Sequence, residues 1–437
     1  MKSEPAGFPI HDRPFAEGHV AAGPALRDRE ILRSLGRQMA EEVMRQDRAA
    51  KAEMWRRNND RDPVRKMVWL TEVPWHELRP HRQELVCLCT EPWLRELEDE
   101  LRRTLYQWRH FPVDMILDDH IPCRKVWHST GIGLVPRDRT LAQHDLGGIQ
   151  AHHWESQIRG PDDIGKIRMP TVTYDAVETA RRFHVLSGIF EGILPVKIVG
   201  IKHIWFTPWD RLFSLVDMTE MMMAMIEAPD FVNALVSRYV DASMHELDQV
   251  EALGLLGNGV DNIRVGSGAY AYTGDLTGKG AEADPVRCRD IWGCGNAQIF
   301  SEVSPDMHWE FSLKHELRWL ERWGMNYYGC CEQLHGKIHL LDRIPNLRKF
   351  SLSPRCDIRK AREAGADKYV LSIKPNPALV AVDDWSPERA RRQIRGILEA
   401  TEGATAELVF KDISTVRNDP QRLDDWARVA MEEVERA

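Results

Sequence analysis

The chain has 437 residues, of which 43% are hydrophobic and 29% charged, and this ordinary globular composition excludes a wholly disordered protein. A formal net charge of −8 disfavours a general nucleic-acid binder. Eight cysteines are too few for a disulfide scaffold, and no run of about 18 apolar residues is present to span a membrane.

The N-terminal part is predicted to be a tail followed by a helix. Residues 1–28 are rich in proline, glycine and charge, so we expect a flexible tail ahead of a single domain over 29–437. The tail has no apolar segment typical of a secretory signal, which together with the sparse cysteines predicts a cytoplasmic protein. Apolar residues at helical spacing predict one helix over 28–55.

Short apolar runs then alternate with helical patterns, as is typical of a parallel sheet. Strands are expected near residues 64, 112, 196, 262, 326, 348, 368 and 406. Helices are expected over about 92–108, 173–186, 208–228, 229–255, 305–323, 336–343, 357–364, 386–401 and 420–435. Eight such units predict a (β/α)8 barrel, with an inserted loop region at about 129–168. An open doubly wound sheet is the alternative, although no Gly-x-Gly-x-x-Gly turn supports a dinucleotide-binding version.

Polar side chains follow the later predicted strands. Chemistry in barrel enzymes is found at the carboxyl ends of the strands, so these side chains are candidates for an active site. They include Asp261, Asn262, Ser267, Glu302, Cys330, Cys331, Glu332, His335, Ser353, Lys374, Lys411 and Asp412.

The densest of these groups has metal-ligand chemistry. It consists of Cys330, Cys331, Glu332 and His335. Thiolate, imidazole and carboxylate are ligands that suit zinc, and Glu302 or Asp412 could complete a catalytic site with an open position. The alternative stays open: buried cysteines often act as small hydrophobic residues, and His335 could serve only as a helix cap.

Other groups give weaker signals. His152 and His153 could bind a metal but are more typical of a surface loop, and Cys288 and Cys294 could be incidental thiols in a glycine-rich loop. Lys374 could bind an anionic group or pair with a carboxylate.

Several short motifs resemble the uroporphyrinogen decarboxylase-like superfamily. They are residues 327–332 (YYGCCE), 344–349 (IPNLRK), 351–354 (SLSP), 374–377 (KPNP) and 411–413 (KDI). The resemblance runs from about residue 28 to the end and is strongest in the last 140 residues. It implies a (β/α)8 barrel and one of two activities, porphyrinogen decarboxylation or corrinoid-dependent methyl transfer.

The motifs favour the methyltransferase branch. Uroporphyrinogen decarboxylases carry an Arg-Gln-Ala-Gly-Arg segment that holds substrate carboxylates, whereas this chain has 69–74 (WLTEVP) there, and Glu72 would repel a polycarboxylate. Zinc methyltransferases of the superfamily carry His-x-Cys at a strand end and a later Cys near the last strand. Cys331 matches the first Cys, but Gly329 replaces the His and Lys411-Asp412 replaces the second Cys. A homodimer is also what the resemblance implies.

The leading hypothesis is therefore an enzyme that moves a methyl group between a small O- or N-methylated substrate and a corrinoid (cobalamin), which we expect on a separate carrier protein. Its predicted metal ligands are Cys330, Cys331, Glu332 and His335, and its predicted catalytic groups are Glu302, Glu332, Lys374 and Asp412. Two alternatives are a metal-independent lyase acting on a small carboxylated substrate, with Lys374 as anion anchor, and a binding subunit that has lost catalysis.

Overall fold

The computed structural model describes residues 24–62, 64–137, 154–276, 285–365 and 367–437. These residues form a mixed α/β structure built on a six-stranded parallel sheet with the strand order β1-β10-β9-β8-β7-β6. The strands are β1 Met67–Leu70, β2 Ile121–Arg124, β3 Val126–Ser129, β4 Val172–Asp175, β5 Val196–Val199, β6 Trp292–Gly295, β7 Met325–Tyr328, β8 Leu347–Leu352, β9 Val370–Ile373 and β10 Ala406–Phe410.

Fourteen α-helices occur among the described residues. They are α1 Leu26–Arg45, α2 Arg48–Asp60, α3 Trp75–Leu78, α4 Pro92–His110, α5 Ala176–Phe190, α6 Pro208–Leu212, α7 Met218–Glu227, α8 Pro229–Ala252, α9 Pro305–His308, α10 Lys314–Leu320, α11 Ile338–Leu341, α12 Ile358–Gly365, α13 Pro387–Ala400 and α14 Gln421–Arg436. None of the described helices combines the length and apolar content that a membrane span requires.

The large sheet is covered on both faces. Every residue of β1, β6, β7, β9 and β10 is buried, as expected of parallel strands packed against other layers. In the strand register, Ser372 of β9 pairs with Ser351 of β8 on one side and with Glu407 of β10 on the other. Three neighbouring strands therefore carry polar residues next to one another.

Barrel closure stays a prediction. Beyond β1, the backbone N–H of Asp114 donates to Val68 at 3.1 Å, and beyond β6 the Cys294 thiol contacts the carbonyl of Ile204 at 3.4 Å. Chain segments therefore flank both edges of the six-stranded sheet, at the two positions where a barrel would need further strands. The pairs β2–β5 (parallel) and β3–β4 (antiparallel) form separate two-stranded sheets.

Two of the eight predicted strands are wrong. Residues near 112 and 262 form no strand, and β6 lies instead inside the stretch predicted as a glycine- and cysteine-rich loop. Its composition hid it, because glycine is uncommon in strands. Gly293 is required there by close packing, since a Cβ would lie 2.2 Å from Cγ of Trp323.

Several predicted helices also need correction. The helix expected over 28–55 is two helices, because Asp47 interrupts it and caps α2 by accepting the Ala50 N–H at 3.0 Å. The segment 305–323 contains a π-helical turn, Trp309–Leu313, between α9 and α10, and 208–228 is divided into α6 and α7. Residues 1–23 of the predicted tail and 138–153 of the inserted region, which include His152 and His153, lie outside the described residues.

Candidate active site

The carboxyl ends of β1, β7 and β10 carry an unusual backbone. Glu72, Gly329 and Asp412, each within two residues of its strand's end, have φ values of +52°, +95° and +56°. Left-handed backbone is strained for residues other than glycine, and such residues concentrate at functional sites. Five residues at these ends, Glu72, Cys330, Cys331, Lys411 and Asp412, form what we call the rim cluster.

Packing around Gly329 leaves no room for the histidine of the His-x-Cys motif. A Cβ at this position would lie 2.4 Å from Cδ1 of Leu334 and 3.2 Å from Cβ of Ser351, and the positive φ adds strain for any side chain. A histidine cannot stand at position 329 without rearranging this turn. The motif's histidine ligand is therefore excluded by packing.

Lys411 supplies the positive charge of the rim cluster. Its Nζ lies 2.8 Å from Oδ2 of Asp412, 3.3 Å from Oε2 of Glu72 and 3.7 Å from Sγ of Cys330, and the side chain is only 4% exposed. Burial works against the charge, but Cys330, Glu72 and Asp412 raise the pKa of Lys411 above its ordinary value. The charged ammonium form of Lys411 is thus favoured.

The two thiols of the rim cluster differ in environment. Their sulfur atoms are 3.6 Å apart; Cys330 is buried and Cys331 is exposed. The hydrogen bond between them lowers the pKa of Cys331 and raises that of Cys330. Cys331 also lies 3.9 Å from Oδ2 of Asp412. The more accessible sulfur is therefore the better nucleophile, since the thiolate is the reactive form.

Glu332 holds the turn that carries the thiols. It is fully buried, and its two oxygens accept the backbone N–H groups of Cys330 at 2.7 Å and Ala297 at 3.0 Å. Burial raises the pKa of Glu332 despite these bonds. Both carboxyl oxygens are thus engaged by the backbone, which gives Glu332 a structural part in joining β6 to β7.

Lys374 lies beneath the rim cluster, buried among side chains of the large sheet. Its Nζ donates to Tyr327 OH at 2.7 Å and to the Oγ and carbonyl oxygen of Ser372 at 2.7 and 3.0 Å. Burial lowers the pKa of Lys374 to about 7. Because protein acceptors take its N–H groups, an anion would have to displace one of them, and the predicted anion anchor gains no support here.

Glu302 and His335 lie apart from the rim cluster. The Glu302 carboxylate is 73% exposed and pairs with Arg355 at 3.4 Å and Gln333 at 3.0 Å. His335 lies in a short turn, Leu334–Gly336, and its buried Nδ1 has no hydrogen-bond partner among the described residues.

The predicted zinc ligands do not fit a zinc site in this arrangement. Within the described part of the chain, no three His, Cys, Asp or Glu side chains are grouped to hold a metal. Glu332 is bound to backbone amides, and the Lys411 ammonium already contacts the Cys330 sulfur and the Asp412 carboxylate that a metal would use. Zinc binding stays a prediction that these contacts do not favour.

Sequence analysis missed a second polar group beneath the rim. Lys349 and Glu407, both fully buried, are joined at 2.9 Å, and Glu407 also accepts from Ser372 at 2.7 Å and from the Ala269 N–H at 3.0 Å. With Tyr327 and Lys374 these residues form what we call the interior network. Its sequence signal is the presence of single charged residues inside otherwise apolar strands.

The roles of Glu72 and Arg264 were also missed. Arg264 donates to Glu72 Oε1 at 2.7 Å, and Arg264 with Lys411 brings the pKa of Glu72 down to about 2 despite burial. Glu72 and Arg264 are 192 residues apart in sequence, so spacing alone could not pair them.

Comparisons with known proteins do not assign this chain to a family. No protein-family model matches it, and no curated protein matches it at a significant level. Among solved structures, it is similar to a methyltransferase from Methanosarcina mazei, at 12% sequence identity and a TM-score of 0.44, over 88% of this chain and 98% of that chain. A similarity this distant carries no argument about activity.

Proposed function

We propose that this chain is a methyltransferase that moves a methyl group between a small O- or N-methylated substrate and a corrinoid on a separate carrier protein. The motif resemblance to the uroporphyrinogen decarboxylase-like superfamily supports the reaction class. The observation that carries the proposal is the rim cluster, in which a buried cation and an exposed thiol meet at the carboxyl ends of parallel strands.

The rim cluster has the electrostatics that demethylation needs. When a methyl group leaves an oxygen or nitrogen atom, the bonding electron pair stays on that atom. A fixed positive charge such as Lys411 stabilises the electron-rich atom without reorganising, and Glu72 and Asp412 keep the ammonium in place. When bound, a corrinoid supplies the metal that accepts the methyl group.

Access to the rim suits a partner that approaches from outside. Cys331 is exposed and the Asp412 carboxylate is 47% exposed, whereas Lys411 lies beneath them. A bulky group delivered by another protein could reach the exposed thiol edge. The lyase alternative has less support, because the Lys374 ammonium contacts the buried Tyr327 and Ser372, whereas Lys411 pairs with the partly exposed carboxylate of Asp412.

The test is methyl transfer to free cobalamin. The full chain is mixed anaerobically with cobalamin reduced by titanium(III) citrate and with methanol, 2-methoxyphenol or trimethylamine, and methylcobalamin is followed by absorbance. We expect turnover with at least one probe, and Lys411→Met should slow it by about 10²–10³-fold, as removal of one charge-stabilising group does in other enzymes.

Lys360→Met is the matched control, because Lys360 is 69% exposed on α12. It should leave the rate unchanged. No methylcobalamin with any of the three probes would contradict the proposed function, and tight binding without turnover would favour the binding subunit.

A further inference from the structure

A second group of polar side chains lies at the end of β6. Asn296 directly follows this strand, and Gln298 stands two residues further on. The Gln298 side chain donates from Nε2 to Oδ2 of Asp210, in α6, at 2.6 Å. The carboxyl end of β6 therefore joins an amide and a carboxyl group that the rim cluster does not contain.

Asn296 carries a buried donor with no partner. The residue is 1% exposed, and its Oδ1 accepts the backbone N–H of Gln298 at 3.4 Å, which supports the orientation of the amide. Its Nδ2 has no hydrogen-bond partner among the described residues. Buried donors are almost always paired in native proteins, so this one is available to an acceptor that a ligand supplies.

Asp210 is held firmly but keeps access to solvent. Its neighbour Trp209 is fully buried and donates from Nε1 to the carbonyl of Phe311 at 3.0 Å, which anchors α6. Asp210 itself is partly exposed.

Acidic neighbours favour the protonated form of Asp210. Burial, then the Glu332 carboxyl group, raise its pKa to about 6, while the Gln298 amide lowers it. Glu316 of α10 and Tyr239 of α8 also interact with it. Asp210 can therefore deliver a proton near neutral pH.

The new group and the rim cluster lie at the carboxyl ends of parallel strands and are linked through Glu332. Glu332 accepts the N–H of Ala297, between Asn296 and Gln298, and the N–H of Cys330 in the rim cluster. The two sets of polar side chains are thus fixed by one buried carboxyl group.

We propose that Asn296 and Asp210 form the subsite for the substrate's ether oxygen, which makes the substrate a small methyl ether. Asn296 donates a hydrogen bond to this oxygen. As the carbon–oxygen bond breaks, its electron pair stays on oxygen, where Asp210 transfers its proton, and the methyl group passes to a reduced corrinoid that supplies the electron pair of the new bond. The products are the methylated acceptor, the free hydroxyl compound and the Asp210 carboxylate. This inference rests on the proposed function.

Binding of 2-methoxyphenol and of trimethylamine, measured by calorimetry without cobalamin, tests the subsite. Asn296→Ala should weaken 2-methoxyphenol binding about 10-fold, the effect of one lost hydrogen bond, and leave trimethylamine unaffected. Thermal unfolding and circular dichroism check that each variant folds.

Turnover tests the proton donor. Asp210→Asn should bind 2-methoxyphenol nearly as the wild type does but form methylcobalamin about 10²-fold more slowly. The wild-type rate should fall as pH rises through about 6, and the variant should lose that dependence. Asp306→Asn, at an exposed position of α9, is the control and should behave as the wild type.

The experiments distinguish failure of the proposed function from failure of the Asn296–Asp210 subsite. Wild-type protein that binds 2-methoxyphenol in an Asn296-dependent way without forming methylcobalamin contradicts the proposed function and supports the subsite. Unchanged affinity in Asn296→Ala, unchanged turnover in Asp210→Asn, or no binding of 2-methoxyphenol at all overturns the subsite.

Discussion

The interior network and the rim cluster use the same kinds of residue for different purposes. Lys349 and Glu407 lie inside the sheet with no exposed surface, and backbone and hydroxyl groups take up their remaining bonding capacity. Lys411 and Asp412 also form an ion pair, but Asp412 is 47% exposed and has left-handed backbone. One pair is closed to ligands, whereas the other opens to solvent beside a thiol.

The difference shows why charge alone does not identify a site. A buried ion pair with every partner supplied by the protein has nothing left for a ligand. Strained backbone, an exposed nucleophile and partly exposed carboxylates together mark the place where the chain can meet another molecule. Substitutions in the interior network should therefore act on stability, and those in the rim cluster on reactivity.

The largest effect on stability is expected at Glu407. Glu407→Leu leaves the Lys349 ammonium buried without its partner, and such a loss costs about 3–5 kcal/mol of unfolding free energy. Urea denaturation measures it. The double variant Glu407→Leu/Lys349→Met should recover part of the loss, because the Lys349 charge is removed with its partner, while Ser372 and the Ala269 N–H still lack their acceptor. A single-variant loss of less than about 1 kcal/mol would show that the pair is not closed to water.

The next largest effect is expected at Gly329. Alanine would place its Cβ against Leu334 in left-handed backbone, so we expect a loss of about 2–3 kcal/mol in the same urea experiment. Gly336→Ala is the control, since a Cβ there meets nothing within 4 Å, and it should change stability by less than about 0.5 kcal/mol. Equal effects in the two variants would refute the packing argument.

Cys331 should be the most reactive thiol among the described cysteines. Because its pKa is lowered while burial raises that of most of the others, iodoacetamide at pH 7.5 should modify it about 10-fold faster. Its rate should rise with pH through a midpoint below the ordinary value of 9.0. Cys330→Ala removes the hydrogen bond that lowers this pKa, so it should shift the midpoint upward. Peptide mass spectrometry measures the rate of Cys331 modification and its pH midpoint. A midpoint at or above 9.0 in the wild type would contradict the geometry.

The smallest effect is expected at Glu302, which sequence analysis had placed among the catalytic groups. Its exposed pair with Arg355 is screened by water, so Glu302→Gln should change stability by less than about 0.5 kcal/mol. Its rate of methylcobalamin formation should stay within about twofold of the wild type, since it touches no rim residue. A larger drop in rate would extend the site toward Glu302.

Sequence patterns identified the α/β class, the later strands of the large sheet and part of the site. The regular alternation after residue 320 predicted β7 to β10 well, because those strands are continuous apolar runs. It missed β6, whose glycines serve packing against Trp323 rather than a loop. Cys331, Lys411 and Asp412 were found because they follow strands directly. Glu72, Arg264 and the Asn296–Asp210 group depend on contacts between distant segments, which no local spacing reveals.

The central claim is that the cation of this site is the Lys411 ammonium and not a bound zinc ion. Zinc content of freshly purified protein, by elemental mass spectrometry on the wild type and Cys331→Ala, tests it most directly. We predict less than about 0.1 zinc per chain in both proteins, since the thiols and carboxylates of the rim cluster are not grouped to hold a metal in the described structure. About one zinc per chain in the wild type, lost in Cys331→Ala, would contradict the account and restore a metal site at the strand ends.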